Sequence, residues 1–259
     1  MTENTTSASV DDSQAGGDGY RVHQAAALAG PVGVGITMVA WLVAGILFVP
    51  SAGFAFGPVG ADWTPEAVHA FFFDNVTAFR AGVTLSIFSL SGLGILVAAI
   101  GVQLIQAEGR RPVLSFVQII SGTLTWMLLI VPMVILLVAA LRPERDLEVL
   151  VTLNDLAWIL LIPPVAPFVV QNVSIALVIF RDDAAAPVLP RWVAWANLWV
   201  AFLFLPGVLS YFFLSGPFAW QGVFSFWLAL SAYAVWAFIM GFALRTAIRR
   251  DAASEAESV

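Results

Sequence analysis

Six stretches of the chain, residues 25–50, 81–107, 113–141, 156–180, 192–214 and 223–244, carry no charged side chain. Each exceeds the roughly 20 residues that a helix rising 1.5 Å per residue needs to cross about 30 Å of hydrocarbon. A backbone in hydrocarbon must satisfy its own N–H and C=O groups, and runs this long without alternation do so as helices. The expectation is an all-α, polytopic integral membrane protein, a bundle of six transmembrane helices. Residues 1–24 form a polar tail too poor in apolar side chains to fold, residues 25–247 the six-span domain, and residues 248–259 a second tail. An acidic segment precedes the first apolar run where a signal peptide would have a basic one, so the first span is expected to be retained. No loop is long enough for an extramembrane domain.

The cations orient the bundle. In a six-span frame Arg21, Arg110, Arg111, Arg181, Arg191, Arg245, Arg249 and Arg250 fall on one side and Arg80, Arg142 and Arg145 on the other. The positive-inside rule then places both termini in the cytoplasm of a cell with this chain in its inner (cell) membrane. Acidic residues gather on the outer side. Trp192 and Trp195 fall at an inner boundary and Trp63, Trp158 and Trp220 at outer ones, as expected for rings that prefer the headgroup level. Trp41, Trp126 and Trp236 fall near span centres, where they pack between helices or wall an apolar cavity.

Composition removes much chemistry. With 11 Arg, no Lys, no Cys and two His, there is no Schiff-base lysine, thiolate, iron–sulfur or thiolate zinc site. Two histidines on opposite sides also exclude bis-His haem and histidine-box di-iron centres. No cofactor, resident metal or nucleic acid is expected.

The loop at 51–80 has its own helix signal. Thr64, Pro65 and Glu66 read as a cap, a proline at the first helical position and a first-turn acid. The apolar pattern through Phe79 reads as a short helix lying on the outer leaflet. Glu66 and His69 share one of its faces, the spacing of carboxylate sites in helical bundles. Together with Asp155, placed by depth near the outer headgroups, they are candidate outer-mouth residues. An ordinary polar face, and for Asn154 and Asp155 a helix cap, are the plain alternatives.

Within the membrane the remaining chemistry is proline and neutral polar groups. Pro132, Pro206 and the cluster Pro163, Pro164 and Pro167 each remove a helical hydrogen bond, leaving carbonyls near 128, 159, 160, 163 and 202 short of a donor. The cluster is a candidate hinge in the fourth span. Depth counting puts Thr125, Gln171, Asn172 and Asn197 in one layer on the inner side of the midplane. They are candidate ligand-binding residues, with interhelical hydrogen bonding as the alternative role. Small residues, Gly30, Gly33 and Gly35, Ala40 with Ala44, and Gly94 with Ala98, are spaced for close helix approach, within the chain or in a homo- or hetero-oligomer.

Three functional readings follow. The first is a protein that binds or moves a small lipophilic or weakly polar uncharged solute through the amide layer beside the kinked fourth span. The second is a non-catalytic accessory or assembly subunit. The third is a membrane enzyme using outer carboxylates and His69 on a lipid-soluble substrate; the inventory leans against an enzyme.

Overall fold

The computed structural model describes residues 19–40 and 58–258. Six segments, Gly19–Ala40, Val76–Glu108, Val113–Ala139, Leu147–Arg181, Arg191–Tyr211 and Val223–Ser254, are long and apolar enough to cross a membrane. Among the described residues there is no strand. The chain is an all-α, multi-pass membrane protein. Its helices are α1 (Gly19–Ala40), α2 (Pro65–Phe73), α3 (Val76–Glu108), α4 (Val113–Ala139), α5 (Leu147–Leu161), α6 (Ala166–Arg181), α7 (Arg191–Phe204) and α8 (Leu228–Ser258). Helix α4 is the hub, packed on α3, α5 and α6, while α7 packs on α6 and α8. Helix includes residues 19–24 at the start of α1 and continues through Ser258 in α8. Trp41 and Ala44 lie outside the described residues.

Glycine fixes the tightest crossing. A Cβ on Gly33 would run into the Ser89 carbonyl, and one on Gly92 into the Ala29 carbonyl, so α1 and α3 meet backbone to backbone. Gly30 against Leu96 and Gly94 against the Trp126 ring continue the same logic. These small residues are used inside the chain. Gly35 has open space at its Cβ.

The helix ends explain several charges. Glu108, at the end of α3, accepts from the Leu114 and Ser115 amides at 3.0 and 2.9 Å and so caps α4. A carboxylate there meets the unpaired N–H groups and positive end of the helix dipole. At the other end of α4, Arg80 donates to the Ala140 and Leu141 carbonyls and Arg145 to that of Val138. Two of the three arginines on the sparser side thus complete the negative end of one helix.

Helix α2 starts as read, with Thr64 Oγ1 accepting from the Ala67 amide and Pro65 in the first turn. It stops at Phe73, earlier than the apolar pattern suggested, because Asn75 accepts from the Ala78 amide and opens α3. Val76 and Phe79 therefore belong to the second span. Nor does α2 merely lie on lipid: Val68 and Phe72 are buried with Val83, Leu136 and Leu150. It is a plug over one end of the bundle.

The fourth span is two helices. The cap of α5 is Asp146, whose carboxylate accepts from the Glu148 and Val149 amides, so Asn154 and Asp155 sit within the helix and do not cap it. The helix ends at Ile162; Pro163 and Pro164 have no N–H to continue the ladder, and Pro167 lies in the first turn of α6. The fifth span answers its proline differently. Before Pro206 the backbone tightens, Leu205 N donates to the Phe202 carbonyl, and a 3₁₀ segment runs to Tyr211. The sixth span opens with a π turn, Val223–Trp227.

Candidate functional site

The break between α5 and α6 borders the central cavity of the bundle. Two lobes, each about 120 Å³, share Leu129, Leu161, Phe226, Leu230 and Tyr233 in their walls. One extends toward the α2 end between Thr37, Ser86, Met133 and Trp158. The other reaches the break itself, against Ile162, Pro164 and Val165, and is bounded by Thr125, Phe168 and Ser225. Leu128, whose carbonyl loses its helical donor to Pro132, also walls this lobe. Each lobe approaches the roughly 150 Å³ that accepts benzene or xenon when lined by apolar side chains.

Almost every polar atom at this chamber is already engaged. Thr37 Oγ1 and Ser89 Oγ are 2.6 Å apart, Ser86 Oγ donates to Gly82 O, Thr125 Oγ1 donates to Ser121 O, and Ser225 Oγ donates to Phe218 O. Bonds of a hydroxyl to the carbonyl one turn back satisfy the group locally and take it out of use. Trp158, 1% exposed, donates Nε1 to Asn154 Oδ1 at 3.0 Å. Tyr233 is the exception. Its ring is held among Phe168, Phe204 and Trp236, it faces both lobes, and its hydroxyl has no hydrogen-bond partner among the described residues.

Of the four residues of the amide layer only Thr125 reaches the chamber wall. Asn197 ties helices together: Oδ1 accepts from Trp236 Nε1 at 3.0 Å, and Nδ2 donates to Val193 O at 2.8 Å. Asn172 Nδ2 donates to Phe168 O, and its Oδ1 is buried without a partner. Gln171 lies against Gly122 of α4, Nε2 unpaired. These three line neither lobe.

The outer-mouth candidates are spread as well. Glu66 is exposed, while His69 Nε2 lies 3.2 Å from Pro143 O with its ring against Phe73. Asp155 is half-buried on α5 and accepts from Asn154 Nδ2 at 3.2 Å. Among the described residues no three His, Asp or Glu side chains gather as metal ligands. Trp158 is buried inside the bundle, where Asn154 one turn earlier supplies an acceptor for its N–H. It, and not Trp126 or Trp236, walls the cavity. Sequence reasoning passed over Tyr233, although Tyr20, Tyr211 and Tyr233 are the chain's three tyrosines and only Tyr233 falls in mid-span. Set beside known proteins, the chain matches no family model, no curated protein and no solved structure.

Proposed function

We propose that this protein binds a small, mainly apolar solute bearing one hydrogen-bond acceptor, in the chamber between the broken fourth span and α8. The observation that carries this reading is the Tyr233 hydroxyl, at a mainly apolar cavity whose other side-chain hydroxyls are engaged, with no hydrogen-bond partner among the described residues. A neutral hydrogen bond contributes about 1 kcal/mol, and a ligand carbonyl or ether oxygen would supply one to this hydroxyl. The chamber walls supply the apolar contact. Thr125 borders the same space. Pro163, Pro164 and Pro167 leave α5 and α6 free to pivot, the construction by which membrane carriers alter access to a mid-membrane site. Asn197 braces α7 against α8 behind it. We place the protein in the cell membrane with both termini cytoplasmic, on the arginine distribution.

The test uses the full chain in phosphatidylcholine nanodiscs and 4-fluoroacetophenone, an aromatic ketone of suitable size, followed by fluorine NMR. Saturable binding is expected. Tyr233→Phe should weaken it about five- to tenfold, the loss of one neutral hydrogen bond, and Leu230→Trp should abolish it by filling the chamber. Binding that is non-saturable, or indifferent to Leu230→Trp in a protein of unchanged melting temperature, overturns the reading.

A further inference from the structure

A second feature stands apart from the chamber, on the lipid-facing side of α8. A groove of about 700 Å³ runs along α8 past Val235, Ile239 and Ala243, and ends beneath Pro187, Trp192 and Arg250. From Val235 to Thr246 the helix rises about 16 Å, close to half of the ~30 Å hydrocarbon thickness. The groove therefore has the length of one leaflet. Its floor is apolar, and Arg250 stands at its mouth.

The mouth is also built. Arg250 donates to the Pro187 and Val188 carbonyls at 2.8 and 3.3 Å, which holds the α6–α7 loop over the end of the groove. Asp182 fixes the same loop by accepting from the Ala184 and Val188 amides. Of the other acids there, Asp183 lies 3.7 Å from Arg191 and Asp251 3.9 Å from Arg250. Arg249 is exposed and has no ion pair among the described residues. Seven residues separate it from Phe242, two helical turns, so it stands over the same face of α8. Trp192, 56% exposed, flanks the mouth with the amphipathic ring that membrane proteins place at headgroup depth.

From this complementarity we infer that the groove holds one acyl chain of an anionic phospholipid of the arginine-rich leaflet, with the headgroup phosphate at Arg249 and Arg250. An apolar channel one leaflet long accounts for the chain, and the exposed guanidinium of Arg249, which no acid pairs among the described residues, for the charge. A zwitterionic lipid would use the channel without the mouth. Inorganic phosphate would use the mouth without the channel.

Native mass spectrometry of the full chain in detergent, titrated separately with phosphatidylglycerol, phosphatidylcholine of the same acyl length, and inorganic phosphate, distinguishes these cases. One phosphatidylglycerol is expected to stay bound at an affinity at least tenfold above phosphatidylcholine, with no retention of inorganic phosphate. Arg249→Gln should lower that affinity about fivefold, the effect of one arginine near a lipid surface. Val235→Trp, which narrows the groove far from any charge, should lower it as well. Melting temperatures in detergent alone monitor folding. Equal retention of the two lipids overturns the inference. So does phosphatidylglycerol binding that survives Val235→Trp, which would mean surface charge alone, or a dimer that disappears with Val235→Trp, which would mean a second copy occupies the groove.

Discussion

Asn197 offers the sharpest test of what the amide layer is for. In the folded chain its side chain makes one bond within α7 and two to α8, the weaker of these from Nδ2 to Met240 Sδ at 3.4 Å. The one to the Val193 carbonyl, at 2.8 Å, lies within α7 and persists in an isolated helix, so it cancels between folded and unfolded states in the membrane. The one from Trp236 Nε1, at 3.0 Å, joins α7 to α8 and exists only when the bundle is assembled. Asn197→Leu removes it and leaves the Trp236 N–H buried among apolar groups, since Trp236 is 1% exposed. An interhelical hydrogen bond in a membrane contributes about 0.6–1.7 kcal/mol, and an orphaned buried donor costs about 1–3 kcal/mol. The two describe one event seen from its two ends and are not added, so the expected loss is about 2 kcal/mol. Trp236→Phe removes the donor and also ring volume against Phe168, whose centroid lies 5.1 Å away, and should cost a similar amount. The decisive quantity is their coupling. In an unfolding titration with dodecyl sulfate, the double variant should be less destabilised than the sum of the singles by about 1 kcal/mol. Strict additivity would mean that the bond does not hold the helices together. An Asn197→Leu protein of full stability that had lost 4-fluoroacetophenone binding would make Asn197 a ligand group, and the division between bracing layer and chamber drawn above would be wrong.

Three further outcomes follow from contacts already described. Glu108→Ala should destabilise the protein by about 2 kcal/mol in the same titration, because it strips the start of α4 of two charge-assisted bonds, and Glu108→Gln should recover part of that. Gly33→Val should cost at least about 3 kcal/mol or prevent folding, as the added carbons meet the backbone of α3, which has no rotamer to yield, whereas Gly35→Ala should be nearly neutral. Trp158→Phe should leave the chamber apolar yet strand the buried Asn154 Oδ1, costing about 1–3 kcal/mol by melting temperature while ketone binding changes less than it does in Tyr233→Phe.

The spans were legible because hydrocarbon imposes one rule on every residue of a long run, and a run of uncharged residues declares it locally. Caps were legible where partners are neighbours, as with Thr64 and Ala67. They were not legible where the cap comes from another helix: nothing near Val113 announces that Glu108 will reach it, or near Ala140 that Arg80 will. The amide layer shows the same limit. Depth counting placed Gln171, Asn172 and Asn197 together along the membrane normal, but depth is one coordinate of three. Which way each side chain faces depends on helix rotation, and rotation is set by packing partners such as Gly122 and Trp236 that spacing within one helix does not reveal. That Trp158 faces inward was hidden for the same reason, since its indole N–H is satisfied by a buried acceptor four residues earlier.

The proline cluster has two consequences that have to be weighed against each other. Continuous helix from Leu147 to Arg181 would have carried uninterrupted hydrogen bonding through the membrane, and the break gives up the ladder at Pro163 and Pro164 in a setting where each unmade bond is costly. The fifth span shows that the fold has a cheaper response to proline available, the 3₁₀ tightening before Pro206 that satisfies the Phe202 carbonyl. The fourth span does not use it. Two consecutive prolines leave no N–H to redirect, so α5 and α6 end and restart, and the space beside the break remains part of the chamber. On that reasoning Pro164→Ala restores a donor where the chamber is open. If the opening is what the solute occupies, the variant should be as stable as the parent or more so and bind 4-fluoroacetophenone more weakly. A variant less stable than the parent with unaltered binding would make the break a packing requirement of α5 against α2, and the chamber a by-product of it.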